Sequence, residues 1–546
     1  MMDRRRFIRS VALAAGGVSV FRPLNALGSR YQSSAGFFGV HSFIENCSDA
    51  VFIMRTNVDM KTNGTAIKQA ALEFSRSVIV PRESGVPLTH LIPIKPNITC
   101  SSTSNTSYSL EYGMGIVTDP FFVEGVIEGM KELGISGNQF YVREVNCAED
   151  FGPRGYTSMA ERTGAEIRDM SAGVGTISEN DLVWKDTPEG VYFRKIPYLW
   201  PINAPDSWLL NISKFKAHGM GITLCAKNLQ GSIAMNYQAH CTAPGQSMGK
   251  NVKSIHLNPN LTNEINANFN RHKADGVPRW DKPGTSGTGC GLGMETWASR
   301  CLDNNSVTHA GLHIIEGIYG RDGNGFLVGP NPAGNDDNYS GEAWDYMTNI
   351  IIFGMNQFHV DIVGNWLAGH EPGNFGQFHM AKERGMSKTI NPMNIPVYEW
   401  KADGSAILTK LTDFTRTPLK TYYLQRNYSG QTELTYHLCN ETFTYPSETP
   451  QAVSDDAQPR TFVLSQNRPN PFNPTTAIEY AVPAGGNARL EVFNSAGQLV
   501  DVLVDGYCPA GSHMAVWKTS GRASGVYYYR FRFGDFTETR KMTLLK

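Results

Sequence analysis

Apolar and polar positions follow different rhythms in different parts of this chain. Between about residues 36 and 443, short apolar runs alternate with stretches of helical spacing. His90–Ile94 reads as a buried strand ending in Lys95-Pro96-Asn97. Phe121–Leu133 places Phe122, Val126, Ile127, Met130 and Leu133 on one helical face and stops at Gly134. Gln139–Val145 reads as the next strand and Tyr156–Gly164 as a helix with a glycine stop. Ser207–Ile212 reads as a strand that ends at Ser213-Lys214. Strand–helix–strand units with short links predict an α/β core, residues 36–443, with a mostly parallel sheet covered by helices on both faces. In such sheets ligands gather beyond the carboxyl ends of the strands.

The two ends differ from this core. Residues 444–460 are rich in Pro, Ser, Thr and Asp, lack apolar period, and read as a linker. Beyond them come short alternating runs: Ala477–Tyr480, Ala488–Phe493, Leu499–Val504, His513–Trp517, Val526–Phe533 and Glu538–Leu545. Turn residues such as Asn494-Ser495-Ala496-Gly497 separate them. Residues 461–546 are therefore expected to form a small antiparallel immunoglobulin-like β-sandwich. At the other end, Asp3-Arg4-Arg5-Arg6-Phe7-Ile8-Arg9 precedes an apolar run from Val11 to Phe21, the pattern of an export signal. Ala26-Leu27-Gly28 offers a cleavage site, so residues 1–28 are expected to be removed. After that no stretch of about 18 apolar residues remains, and no transmembrane segment is expected in the mature chain.

Composition narrows the function classes. The 546 residues carry 49 basic and 50 acidic side chains, a formal net charge of −1. No basic patch dominates, which argues against nucleic acid as a partner. Nine cysteines occur and none forms a C-x-x-C pair, so no iron–sulfur cluster motif is present. Export permits disulfides, and Cys225/Cys241 or Cys290/Cys301 are candidate local pairs.

The densest chemistry is Lys214-Phe215-Lys216-Ala217-His218, followed by Lys227-Asn228-Leu229-Gln230-Gly231. Lysine ammoniums suit phosphate or carboxylate oxygens, and a histidine of ordinary pKa near ~6.5 suits proton transfer. Gly231 lets a backbone approach its neighbour closely. A solvated helix face with scattered lysines is the plain structural reading, but Met220, Ile222, Leu224 and Leu229 in the same segment speak against it. The glycine-dense 287–293 stretch fits neither phosphate-binding fingerprint and reads as a loop. The glycine-rich 317–345 stretch reads as one long loop.

Three resemblances follow from quoted residues. The paired arginines with Phe7-Ile8-Arg9 resemble a twin-arginine signal, which implies the Tat translocase as a partner. The tail, with Arg468-Pro469-Asn470-Pro471-Phe472-Asn473-Pro474, Ser524-Gly525-Val526-Tyr527-Tyr528-Tyr529 and Arg540-Lys541-Met542-Thr543-Leu544-Leu545-Lys546, resembles the type A sorting domain of the type IX secretion system. It implies the type IX machinery as a partner and a cell-surface or secreted product of a Gram-negative envelope. The core resembles the domain of unknown function 362 family, through Lys95-Pro96-Asn97, Thr118-Asp119-Pro120, the K-x-K-x-H and K-N-x-x-G stretches, Ile314-Ile315-Glu316-Gly317-Ile318, and the Gln357–Val363 element with Asp361. Against the family pattern, Glu316 stands where an aspartate is usual, and the first aspartate of the later element is replaced, with His359 nearby.

Together these features predict an α/β core that binds, and could turn over, a small anionic ligand. Lys216 and His218 are the expected catalytic residues. Lys95, Asn97, Lys214, Lys227 and Asn228 are the expected ligand-binding residues. Glu316, Asp361 and His359 are expected to hold a divalent metal, with His313 a further histidine of interest. The lysines, His218 and both acids are expected to converge on one pocket. The alternative is a non-catalytic surface adhesin or glycan-binding protein, which the 11% aromatic content would also suit.

Overall fold

A computed structural model describes residues 36–98, 114–145, 151–169, 177–218, 221–234, 253–278, 291–322, 344–425, 434–437, 442–446, 462–483, 486–508, 511–519, 521–534 and 536–545. The expected signal at 1–28, most of the linker and the tip of the 317–345 stretch lie outside the described residues.

The core is built on a ten-stranded sheet. Its strands are β1 (Val51–Arg55), β2 (Ile92–Pro96), β3 (Phe140–Glu144), β4 (Glu166–Asp169), β5 (Leu209–His218), β6 (Gly221–Thr223), β7 (Ala310–Arg321), β8 (Asp345–Gly354), β9 (Val397–Trp400) and β10 (Ala406–Leu408). Their order is β10-β9-β1-β8-β7-β5-β2-β3-β4, with β6 folded back onto β5. The run β7-β5-β2-β3-β4 is parallel throughout. Strands β8, β10 and β6 pair antiparallel with their neighbours, so the sheet is mixed and mostly parallel, as expected.

Strand alternation splits the core in two. Phe52, Ile94, Val142, Ile212, Ile314 and Phe353 pack against helices α1 (Gly64–Val78), α2 (Pro120–Lys131) and α3 (Tyr156–Thr163). Ile53, Phe215, Ile315 and Ile352 point to the other face. There they meet α4 (Cys225–Asn228), α6 (Leu292–Val307), α7 (Gln357–Leu367) and α8 (Gly376–Glu383); α5 (Leu261–Ala274) lies against α6. Successive strand residues face opposite ways, which is why each central strand is apolar on both sides. Helix α2 begins where Asp119 caps it, its side chain accepting from Phe121 N, with Pro120 in the first turn. Helix α3 ends at Gly164, whose φ of 82° is left-handed.

Three expectations are corrected. Strand β5 does not stop at Ser213-Lys214 but runs on to His218. Polar residues persist in this strand because β7 and β6 complete its ladder and Glu316 lies beside Lys214 in register. The glycine-rich 317–345 stretch is not wholly loop either, since β7 continues to Arg321 and β8 begins at Asp345. Cys225 and Cys301 are thiols, so neither candidate local disulfide forms.

The tail folds into two small antiparallel sheets. One holds β11 (Val463–Leu464), β12 (Thr475–Val482) and β15 (Gly511–Lys518). The other holds β13 (Gly486–Asn494), β14 (Leu499–Cys508), β16 (Gly525–Phe533) and β17 (Phe536–Leu544). Leu464, Ile478 and Trp517 share one apolar cluster with Leu490, Tyr529 and Phe531, so both sheets bury against the same core. The two ends of this region are tied together: Phe472 N donates to Thr543 O, and Leu545 N donates to Phe472 O. Among the described residues, no helix is long and apolar enough to cross a membrane.

Candidate functional site

The carboxyl-terminal halves of β2, β5 and β7 carry Lys95, Lys214, Lys216, His218 and Glu316, and the end of β3 adds Glu144. They form a chain of buried polar contacts with two distinct characters.

The first is a matched cluster on the α2 side of the sheet. Lys214 Nζ stands 2.6 Å from Glu316 Oε2, both side chains fully buried. Lys214 also lies over the Tyr319 ring, 3.4 Å from its centroid. Asp119 N donates to Glu316 Oε2 at 3.3 Å, and Tyr319 OH donates to Asp119 Oδ2 at 2.6 Å. Burial pushes both carboxyls above their ordinary range, with Lys214 pulling each back; the Glu316 carboxyl is raised further by Asp119. Burial also raises the Tyr319 phenol far up, so it remains a hydrogen-bond donor. Every strong group here has an opposite or a donor within reach, the condition for tolerating charge in an interior.

The second is a locked polar seam. Lys95 Nζ donates to Glu144 Oε2 at 2.7 Å, to Pro96 O at 2.7 Å and to Asn228 Oδ1 at 3.2 Å. Those bonds use the ammonium's three donors. Asn228 Nδ2 donates to Lys95 O and to Asn211 Oδ1, and Asn97 Nδ2 donates to Asn228 Oδ1. Glu144 also accepts from Ile98 N and Val145 N. The backbone at Gly231 closes over this pair. A Cβ there would sit 2.5 Å from Glu144 Oε1 and 3.0 Å from Lys95 Nζ, so the glycine serves the ion pair rather than a ligand.

Beyond these lies a group of cations. Lys216 is buried two residues along β5 from Lys214, its register partner on β7 being Arg321. Burial first, then the Lys227 ammonium and the Arg154 guanidinium, hold the Lys216 amine well below its ordinary value; Glu144 opposes this and Arg321 adds to it. His218, half-buried at the end of β5, is held well below the usual imidazole range by burial, Lys227 and Lys216. The expectation of an imidazole of ordinary pKa is therefore corrected: at neutral pH His218 is a neutral acceptor or donor, not an acid in reserve. Arg300 on α6 is a further buried cation. Among the described residues its Nε, Nη1 and Nη2 have no hydrogen-bond partner, and its guanidinium lies 5.9 Å from the Tyr192 ring.

The acids do not converge. Glu316 joins Lys214 on the α2 face. Asp361 lies on the opposite face, where Cys225 N donates to its Oδ1 at 2.7 Å and Ala226 N to its Oδ2 at 2.8 Å. It caps α4, and burial pushes its carboxyl up to about 7. His359 Nδ1 bonds the Asp49 carbonyl at 2.6 Å, and burial lowers its pKa. The expected metal set of Glu316, Asp361 and His359 is thus dispersed by the sheet itself, and among the described residues no three metal-ligating side chains stand together. His313 is buried in β7, its Nδ1 3.1 Å from Asn211 Nδ2, and burial lowers its pKa to about 3.

The structure therefore brings Lys216, His218 and Lys227 together and commits Lys95, Asn97, Asn228 and Lys214 to partners within the fold. Sequence reasoning missed Asp119, Glu144, Arg154, Tyr319 and Arg321. Asp119 was visible only as part of the Thr118-Asp119-Pro120 motif, and Tyr319 and Arg321 lay in a stretch read as loop. Glu144 gave no signal beyond lying in a strand, and Arg154 none beyond preceding a helix.

No curated protein matches this chain at a significant level. A family profile described as Domain of unknown function (DUF362) matches residues 92–365, from the first residue of β2 into α7. That span is half of the chain and contains both charged clusters and the seam between them; the protein belongs to the DUF362 family.

Proposed function

We propose that the core binds a small anionic molecule at the carboxyl ends of β3, β5 and β7, with Lys227 and Arg154 facing its negative groups and Lys216 and His218 beside it. One observation carries this reading. Cationic side chains gather at one place: Lys227, Arg154 and Arg321 each help hold the buried Lys216 amine below its ordinary value, and Lys227 acts likewise on His218. Cations gathered in one place favour an anion there, and clusters that perturb titration in this way are concentrated at functional sites. The position at the carboxyl ends of parallel strands supports the same reading.

Isothermal titration calorimetry with phosphate, oxalate and succinate, on the full chain and on Lys227→Met, tests it. At least one anion should bind at micromolar to millimolar strength, weaken with added salt, and lose about tenfold or more in the variant, a change of ~1.4 kcal/mol. Failure of all three to bind, or equal binding by the variant, would overturn the reading.

We propose further that the chain is exported through its twin-arginine leader. The C-terminal region, read as an immunoglobulin-like sandwich, would act as a type IX sorting tag, giving a surface or secreted product. The shared core of its two sheets supports an independent delivery module. A fusion of residues 461–546 to a periplasmic reporter should reach the cell surface in a type IX-competent host; a reporter retained inside would count against it.

A further inference from the structure

We infer that the cavity at the amino end of β7 is a second ligand site, and that its ligand is a neutral polyhydroxylated molecule of monosaccharide size. This does not depend on the anion reading above, because the cavity lies at the other end of β7 from Glu316 and Arg321.

The mixed sheet creates this place. Strand β8 runs antiparallel to β7, so His313, near the start of β7, pairs with Gly354 at the end of β8. The chain leaving β8 through Met355 and Asn356 enters α7, and the chain leaving α6 through Thr308 enters β7. Both segments border one cavity of about 530 Å³. That lies within the ~300–1,000 Å³ usual for small-molecule sites.

The lining is polar but calls for no counter-charge. Asp49 is its one carboxylate, and Lys388 and Asn356 already hold it. Among the described residues no lysine or arginine lines the cavity. The wall offers hydrogen bonds of both kinds instead. Asn305 Nδ2 donates to Ala226 O at 3.0 Å and to Cys301 O at 2.6 Å, which fixes the orientation of the amide. Its Oδ1 then has no partner among the described residues, in a residue only 5% exposed; Gln357 Oε1 is in the same position. The donor is His313. Asn211 Nδ2 stands 3.1 Å from its Nδ1, and that amide is oriented by Asn228 Nδ2, which donates to Asn211 Oδ1 at 2.8 Å. Nδ1 is therefore the acceptor, and the neutral ring carries its hydrogen on Nε2.

A buried acceptor left unmet costs free energy. A ligand hydroxyl both donates and accepts, so one polyol answers the amide oxygens and the imidazole N–H together. An ammonium would leave the His313 N–H unanswered, and a carboxylate would leave Asn305 Oδ1 unanswered and face Asp49. Met355 and Phe358 add apolar surface for the C–H face of a sugar ring.

Calorimetry on the full chain with D-glucose, D-galactose, D-mannose and myo-inositol tests this, with butylamine and butyrate as charged probes. At least one polyol should bind at millimolar strength, with an affinity that added salt leaves unchanged. Ser306→Trp, at an exposed position on the lining, should fill the cavity and abolish that binding while oxalate binding at the lysine end stays as in the wild type. His313→Phe should weaken it by about fivefold or more, the loss of one hydrogen bond. Binding by none of the polyols, equal polyol binding by Ser306→Trp, or a butylamine or butyrate site that Ser306→Trp removes would each overturn the inference. Failure of oxalate to bind would count against the anion reading alone.

Discussion

Lys214 and Lys216 are two residues apart on the same strand, both removed from water, and they live in opposite electrostatic worlds. Lys214 has a carboxylate at 2.6 Å, an aromatic face at 3.4 Å and a second carboxyl just beyond. Lys216 has a cation as its strand partner on β7 and two more close enough to depress its amine. The difference shows how one sequence motif divides its labour. The first lysine of K-x-K-x-H fastens β5 to β7 and α2; the second lies where cationic side chains gather. Residue type alone does not distinguish them, whereas the partner supplied by the neighbouring strand does.

The largest effect should come from breaking the matched side. Glu316→Ala leaves Lys214 buried without its partner and should destabilise the protein by about 3–5 kcal/mol in chemical denaturation. A near-neutral result would mean that Lys214 and Glu316 are not the fastening described here.

Next comes a pH effect on the opposite face. The Asp361 carboxyl titrates at about 7 in the folded chain and near 3.8 ordinarily. Between those values the folded state binds more protons than the unfolded one. Its contribution to stability is therefore full below about pH 4 and is lost as pH rises to 7. Asp361→Asn should flatten the fall in stability across that window; an unchanged slope would contradict the assignment.

The smallest stability effect should come from the cationic side. Lys216→Met replaces a crowded amine with an apolar chain of similar length. It should shift stability by no more than about 1.5 kcal/mol, against the much larger loss from Glu316→Ala. A loss as large as that of Glu316→Ala would make Lys216 a structural residue and erase the contrast.

The fold was largely legible because its signals are local. The helical spacing of Phe122, Val126 and Met130, the glycine after Thr163 and the alternating tail runs each report on the chain's own backbone. What escaped was non-local. Strand β5 was cut short because Lys214 and Lys216 look like strand breakers until β7 brings Glu316 and Arg321 alongside. Lys95 looked like an open donor because Glu144, which occupies it, comes from the next strand. The supposed metal set failed for the same reason: Glu316 and Asp361 are legible as acids, but which face of the sheet each occupies is decided by α4, whose amides claim Asp361, and by Lys214, which claims Glu316.

The proposal that the Lys216 side takes an anion is tested most directly by counting protons. Oxalate binding to the full chain would be measured by calorimetry near pH 7.5 in buffers of differing ionisation enthalpy. An arriving anion should raise the Lys216 amine toward its ordinary value, so binding should draw in protons, and Lys216→Met should bind with that uptake reduced or gone. Binding with no proton uptake in the wild type, or with the same uptake in Lys216→Met, would contradict the account.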